Sequence, residues 1–204
     1  TEFEKGAYDR AEVGYQQVLT LTPVGDPGRS GLRERLASSI YKQGEQSRST
    51  GNLRGAVSHF LRVATVVPGS SVRPAAEYDA AASLIAIKDW TGAVGVLERF
   101  RKDYPKHPWQ GEVSNKLAVA YMETGQLTRA AGEFEALADA KTDPQLRRAA
   151  LWQVAELYEK AKDAQHASRA YQRYLQQYPG PLEPAIEARF RLAALYEKSG
   201  QGNE

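Results

Sequence analysis

Ala56, Ala93, Ala130 and Ala167 follow one another at a constant step of 37 residues. Each is followed within a few positions by a bulky side chain, as in Ala56-Val-Ser-His-Phe60 and Ala130-Ala-Gly-Glu-Phe134, and further on by Pro68, Pro105 or Pro179 in most copies. A fixed period between about 20 and 50 residues is the signature of repeated supersecondary units that bury their apolar faces only by stacking on one another. This constraint outranks any local motif. It predicts an all-α fold, an α-solenoid of antiparallel helix pairs with a 37-residue period.

The repeats parse into elements without strain. The spacing of Leu32, Leu36 and Ile40 suits one face of a helix over 32–49, and Thr50-Gly51-Asn52 stops it and caps a returning helix over 53–66. Further pairs are expected at 73–87 and 90–103, at 109–124 and 127–140, and at 144–161 and 164–177, with hinges at Lys88-Asp89, Thr124-Gly125-Gln126 and Lys162-Asp163. The repeats thus run over about 32–68, 73–105, 109–143 and 144–179, within a single solenoid stretch spanning 1–204. Residues 1–23 read as the second half of a further repeat, as if the stretch had been cut from a longer array. Residues 22–31, with two prolines and three glycines, read as an exposed inserted loop, because the step from Ala11 to Ala56 is 45 rather than 37. A terminal half-repeat over 183–199, with a turn at Gly200, is expected to leave Phe190, Leu192, Ala193, Leu195 and Tyr196 partly uncovered and open to self-association. No segment alternates with period two for long enough to argue a strand.

Small residues recur within the first helix of each pair at Gly44, Ala81, Ala118, Ala155 and Ala193. With Ala56, Ala93, Ala130 and Ala167 on the second helices they would let paired backbones approach near the short end of the roughly 8–10 Å range of helix contacts. This arrangement resembles the tetratricopeptide repeat (TPR), whose pattern places a small residue and an aromatic in the first helix and alanine, a bulky residue and proline in the second, and the resemblance implies a right-handed α-solenoid. The aromatic slot runs Ser47, Leu84, Tyr121, Tyr158, Tyr196, so the fit improves along the chain. The 37-residue length, the Tyr-Pro dipeptides and the Gly-Gln-Leu turn are similar in style to bacterial cell-envelope TPR proteins, among them the lipoprotein of the outer-membrane β-barrel assembly machine and the partner of the Tol–Pal system. That resemblance implies a non-catalytic adaptor, periplasmic or associated with the outer membrane.

In TPR arrays the first helices line the concave face. The positions that would face it are Tyr41, Tyr78, Asn115, Trp152 and Phe190, continued along the stripe by Ile85, Met122 and Glu156. Aromatic side chains offer large contact area at low entropic cost and suit a surface that holds protein segments. The competing reading is that the same rings are covered by the neighbouring first helix, and exposure decides between them. A clamp for peptide C-termini is not expected, since only Asn115 and Lys116 match its requirement for repeated Lys and Asn.

The chain offers little to catalysis. His59, His107 and His166 stand far apart without acidic or thiol partners at ligand spacing, and there is no cysteine, so no metal or cofactor is expected. Glu156 and Glu159 lie at i, i+3 on one helix, where a charged face is the ordinary explanation. A net charge of +2 provides no electrostatic case for nucleic acid or an anionic membrane surface, and no apolar run reaches membrane-spanning length. The expectation is an interaction scaffold for partner proteins or peptide segments. The alternatives are the solenoid arm of a cell-wall or polysaccharide-processing enzyme and a cytosolic adaptor.

Overall fold

The structure, a computed structural model, describes residues 1–140, 143–180 and 183–198. Ten helices account for most of these residues: α1 (Tyr8–Leu21), α2 (Arg29–Ser49), α3 (Leu53–Val66), α4 (Arg73–Ala86), α5 (Trp90–Asp103), α6 (Gln110–Glu123), α7 (Leu127–Asp139), α8 (Pro144–Lys160), α9 (Ala164–Gln177) and α10 (Glu183–Lys198). Ser199 and the expected Gly200 turn lie outside the described residues. None of the helices is long and apolar enough to cross a membrane. The chain packs as two compact units, Thr1–Val113 and Ser114–Glu204, with the division falling inside α6.

The 37-residue step has a visible origin in the turns. The second helices begin at Leu53, Trp90, Leu127 and Ala164, and the first helices end at Ser49, Ala86, Glu123 and Lys160. Both series advance by 37, so each pair is joined by the same three-residue connection. Its middle residue is left-handed every time: Gly51 at φ 80°, Lys88 at 60°, Gly125 at 73° and Lys162 at 60°. At Lys88 the amide donates to Ile85 O (2.9 Å) and the next amide, Asp89, donates back to Leu84 O (2.9 Å). The same bond pair recurs at Gly125 and Lys162, which is the Schellman closure of a helix end. The residue after the left-handed one then opens the next helix. Asn52, Asp89 and Asp163 accept from the backbone N–H of Gly55, Gly92 and His166 respectively, while Gln126 provides no side-chain cap.

Lysine occupies the left-handed position in two of the four turns. For a residue with a Cβ that conformation costs about 1–2 kcal/mol. Part of any relief on going to glycine is returned through the freer unfolded chain. Lys88→Gly and Lys162→Gly are therefore each expected to stabilise by about 0.5–1 kcal/mol, measured by urea denaturation. A neutral or destabilising result in both would contradict the strain at these turns.

Packing follows the small residues. Ala56, Ala93, Ala130 and Ala167 are fully buried, and Gly44, Ala81, Ala118 and Ala155 are buried on the first helices. At Gly44 a Cβ would lie 2.5 Å from Phe60 Cε1, so the ring occupies the space a side chain would need. Ala193 departs from the series: it is exposed. The buried face of α10 is instead formed by Ala185, Ala188 and Leu195. Ala188 and Leu195 continue the 37-residue step from Leu151 and Tyr158, which places Leu192, not Ala193, in the small-residue register.

The inserted segment also differs from expectation. Arg29, Ser30 and Gly31 are helical, and the loop over 22–28 is only one residue longer than its counterpart over 67–72. The other additional residues lengthen the first helix: α2 has 21 residues where α4 and α6 have 14. Seven residues are two turns within about 20°, so the apolar face downstream keeps its direction. The added turns are used at both neighbours. Arg29 donates to the C-terminal carbonyls of α1 at Leu19 O (2.7 Å) and Thr22 O. Glu34 accepts from Ser70 Oγ (2.9 Å) and from the amide and hydroxyl of Ser71. Burial pushes the Glu34 carboxyl up, but these donors outweigh it and hold its pKa below the ordinary value.

Candidate functional site

The stripe residues fall into three different environments. In the first unit, Tyr41 and Tyr78 are half-buried and both hydroxyls are engaged. Tyr41 donates to Asp79 Oδ2 (2.6 Å), whose other oxygen takes Arg48 Nη1 (2.8 Å), and its ring lies 5.3 Å from Phe60. Tyr78 donates to Glu112 Oε2 (2.6 Å), with its ring 4.8 Å from Trp109. Burial and the acceptor carboxylate raise both phenols, Tyr78 to about 12. These tyrosines tie one first helix to the next. Ile85, further along α4, is half-buried.

Asn115, Met122 and Phe190 form a second class, exposed on α6 and α10. Phe190 is 71% exposed and sits next to the exposed Ile186 turn of its helix. It stands one residue out of the 37-residue register, where Trp152 corresponds to Arg189, and so it does not share the environment of Trp152.

Trp152 and Glu156 belong to the third class, a built site. Trp152 is half-buried, with its ring edge-on to Tyr171 (5.8 Å) and Tyr174 (5.4 Å) from α9. From α10, Arg191 places its guanidinium 5.6 Å from the Trp152 ring centroid. That guanidinium is saturated: it pairs with Glu187 (2.7 Å), Glu159 (3.3 Å) and Glu156 (3.7 Å) and lies 3.4 Å from the Tyr171 hydroxyl. The Glu187 bond is the largest contribution to a raised Arg191 pKa. Glu156 and Glu159 thus both anchor one arginine.

Between these three helices lies a cleft of about 710 Å³, walled by Gln145, Arg148, Trp152, Tyr174, Glu187 and Arg191. That volume is in the range of ligand clefts, and the lining sets the edge-on pair Trp152 and Tyr174 among a few polar groups. The aromatic stripe points to Trp152, but nothing in the repeat pattern points to Arg148, Tyr174 or Gln145. One step of 37 residues earlier, their counterparts are Gly111, Leu137 and Pro108. The histidines stand outside this cleft. His166 lies in the first turn of α9 with its Nδ1 2.8 Å from Oδ2 of the capping Asp163, His107 packs on Trp109 (4.7 Å), and His59 lies against Arg62.

Residues 33–173 match the family model YfiO, described as an outer membrane lipoprotein. Among solved structures, the chain is similar to the MamA protein, at 16% identity and a TM-score of 0.51, over 82% of this chain and 84% of that one. It is also similar to YrrB, a TPR protein with an unusual peptide-binding site, at 13% identity and a TM-score of 0.50, over 82% of this chain and 79% of that one. No curated protein sequence matches.

Proposed function

The chain belongs to the YfiO outer membrane lipoprotein family and has the fold of a TPR-type protein-interaction scaffold, and from that premise we propose that it serves in a bacterial cell envelope as a non-catalytic adaptor, holding a segment of a partner protein in the α8–α9–α10 cleft. The observation that carries this reading is the half-buried Trp152, set edge-on against two tyrosines as the floor of the 710 Å³ cleft. Buried aromatic anchors of this kind dominate the energetics of protein recognition. Family membership supports the envelope, and the described fold supports protein or peptide partners. Within the stripe, Trp152 is the contact residue and Glu156 acts through Arg191. Tyr41 and Tyr78 serve first as ties between helices, with Asn115, Met122 and Phe190 available as outlying contacts.

The test is capture from a detergent extract of bacterial envelopes, with bound proteins quantified by mass spectrometry for the wild type and Trp152→Ala. Loss of an anchor ring typically costs at least about 2 kcal/mol of binding, roughly 30-fold. Proteins specific to the wild type should fall by about that factor, with helicity by circular dichroism retained. Equal capture by a folded Trp152→Ala variant would remove the cleft from the function, whatever the compartment.

A further inference from the structure

Arg148 and the Tyr174 hydroxyl, both in the cleft wall, have no partner among the described residues. Arg148 is half-buried and makes no ion pair or hydrogen bond among the described residues, although the cations around it do: Arg191 is held by three glutamates, Arg173 pairs with Asp139, and Arg147 donates to Ala140 O. Tyr174 is only 2% exposed, yet its hydroxyl, at the cleft surface, has no hydrogen-bond partner among the described residues. The rest of the Tyr174 side chain is packed away while its hydroxyl is left open to the cleft, placed to donate to a group that arrives from outside. Both donors line the same cleft, Arg148 from α8 and Tyr174 from α9.

We propose that the cleft selects its partner segment by an internal aspartate or glutamate, whose carboxylate accepts from the Arg148 guanidinium and the Tyr174 hydroxyl while a neighbouring apolar residue lies on Trp152. This rests on the reading of the cleft as the partner site. Among the described residues that line the cleft, Arg148 is the arginine without an ion pair, and one such cation matches one carboxylate; a phosphate, with about twice the charge, calls for more. Gln145, Arg148 and Trp152 lie at i, i+3 and i+7 on one face of α8. They span roughly 10 Å along the helix, the length of about three extended residues, with Arg148 between the other two. A segment running along this ridge has neighbours on both sides of its acid, so the acid is internal to the segment. Glu187 is no obstacle because it is already paired to Arg191, and Glu183 at the rim is exposed and screened by salt.

The experiment uses the whole chain and fluorescein-labelled peptides, acetylated and amidated, of the form Gly-Ser-Leu-Glu-Leu-Ser-Gly, read by fluorescence anisotropy. The glutamate peptide should bind about tenfold to a hundredfold more tightly than its Glu→Gln counterpart, as expected for a charge-assisted bond. Arg148→Gln should erase that difference, and Tyr174→Phe should reduce it several-fold, in variants with unchanged helicity. If the two peptides bind equally and both are lost in Trp152→Ala, acid selection is wrong and the cleft remains a partner site. If the glutamate peptide binds but ignores both Arg148→Gln and Trp152→Ala, it binds elsewhere and both readings fall. Tighter binding of a phosphoserine peptide, or of a peptide ending in a free glutamate carboxylate, overturns the internal-acid assignment. So does an absence of binding by every peptide at millimolar concentration.

Discussion

Replacing Phe100 by alanine is expected to destabilise the first unit by about 3–5 kcal/mol, the usual cost of emptying a buried aromatic site. The ring is fully buried. It lies 4.9 Å from Tyr104, 5.2 Å from His107 and 6.4 Å from both Tyr78 and Trp109, so one side chain anchors the loop between α5 and α6 as well as the helix core. Four rigid rings cannot collapse into the void, which places the cost toward the upper part of that range. Phe100→Leu, which keeps most of the volume, should cost less than about 1.5 kcal/mol. Urea denaturation of the two variants checks the pair. An alanine cost below that of leucine, or near zero, would mean that the cluster rearranges freely.

The second large effect is electrostatic. Glu77 is 1% exposed, and Arg73 Nε meets its Oε1 at 2.8 Å while its Oε2 has no hydrogen-bond partner among the described residues. Arg73 also reaches Asp103 (2.5 Å) and packs over the Tyr104 ring, linking α4 to α5 and to the loop beyond it. Arg73→Met strands a buried carboxylate without its cation, and breaking a buried pair in this way costs about 3–5 kcal/mol. Because Arg73 is itself partly solvated, about 3 kcal/mol is the expected loss. The double variant Arg73→Met, Glu77→Leu removes the stranded charge and should recover most of that stability, since an apolar substitute for a buried pair is often neutral or better. A double variant no more stable than the single one would show that the arginine matters for its packing and not for the charge it covers.

The repeat was legible because it is written in residues that have no alternative. Alanine or glycine must stand where two backbones meet, so the crossings at Gly44, Ala81, Ala118 and Ala155 appear directly in the sequence as a 37-residue step. The turns were legible for the same reason at Gly51 and Gly125, and less so at Lys88 and Lys162, where lysine adopts a conformation that favours glycine. What the pattern hid were departures from repetition. Pro23, Pro27 and three nearby glycines read as a long loop, yet Gly28 tolerates a helical backbone and the chain resumes its helix at Arg29. The added turns of α2 look irregular in sequence because Arg29 and Glu34 replace core residues with clamps to neighbouring segments. The same holds at the cleft. Val63, Phe100 and Leu137 precede Tyr174 in the register, and a hydroxyl appears only in the last of the four. Periodicity reports what the repeats share, and a site forms where one of them stops sharing it.

The joints of this chain also sort into two kinds of seam for anyone who would add to it. In the connections at 50–52, 87–89, 124–126 and 161–163 one residue closes a helix and the next opens another, so an added residue has nowhere to go without unmaking both ends. The longer seams at 22–28 and 67–72 carry no such double duty, and the first of them already differs in length from the second. An epitope, a fluorophore or a second binding module belongs in those seams, where lineages diversifying this scaffold would also find room to grow.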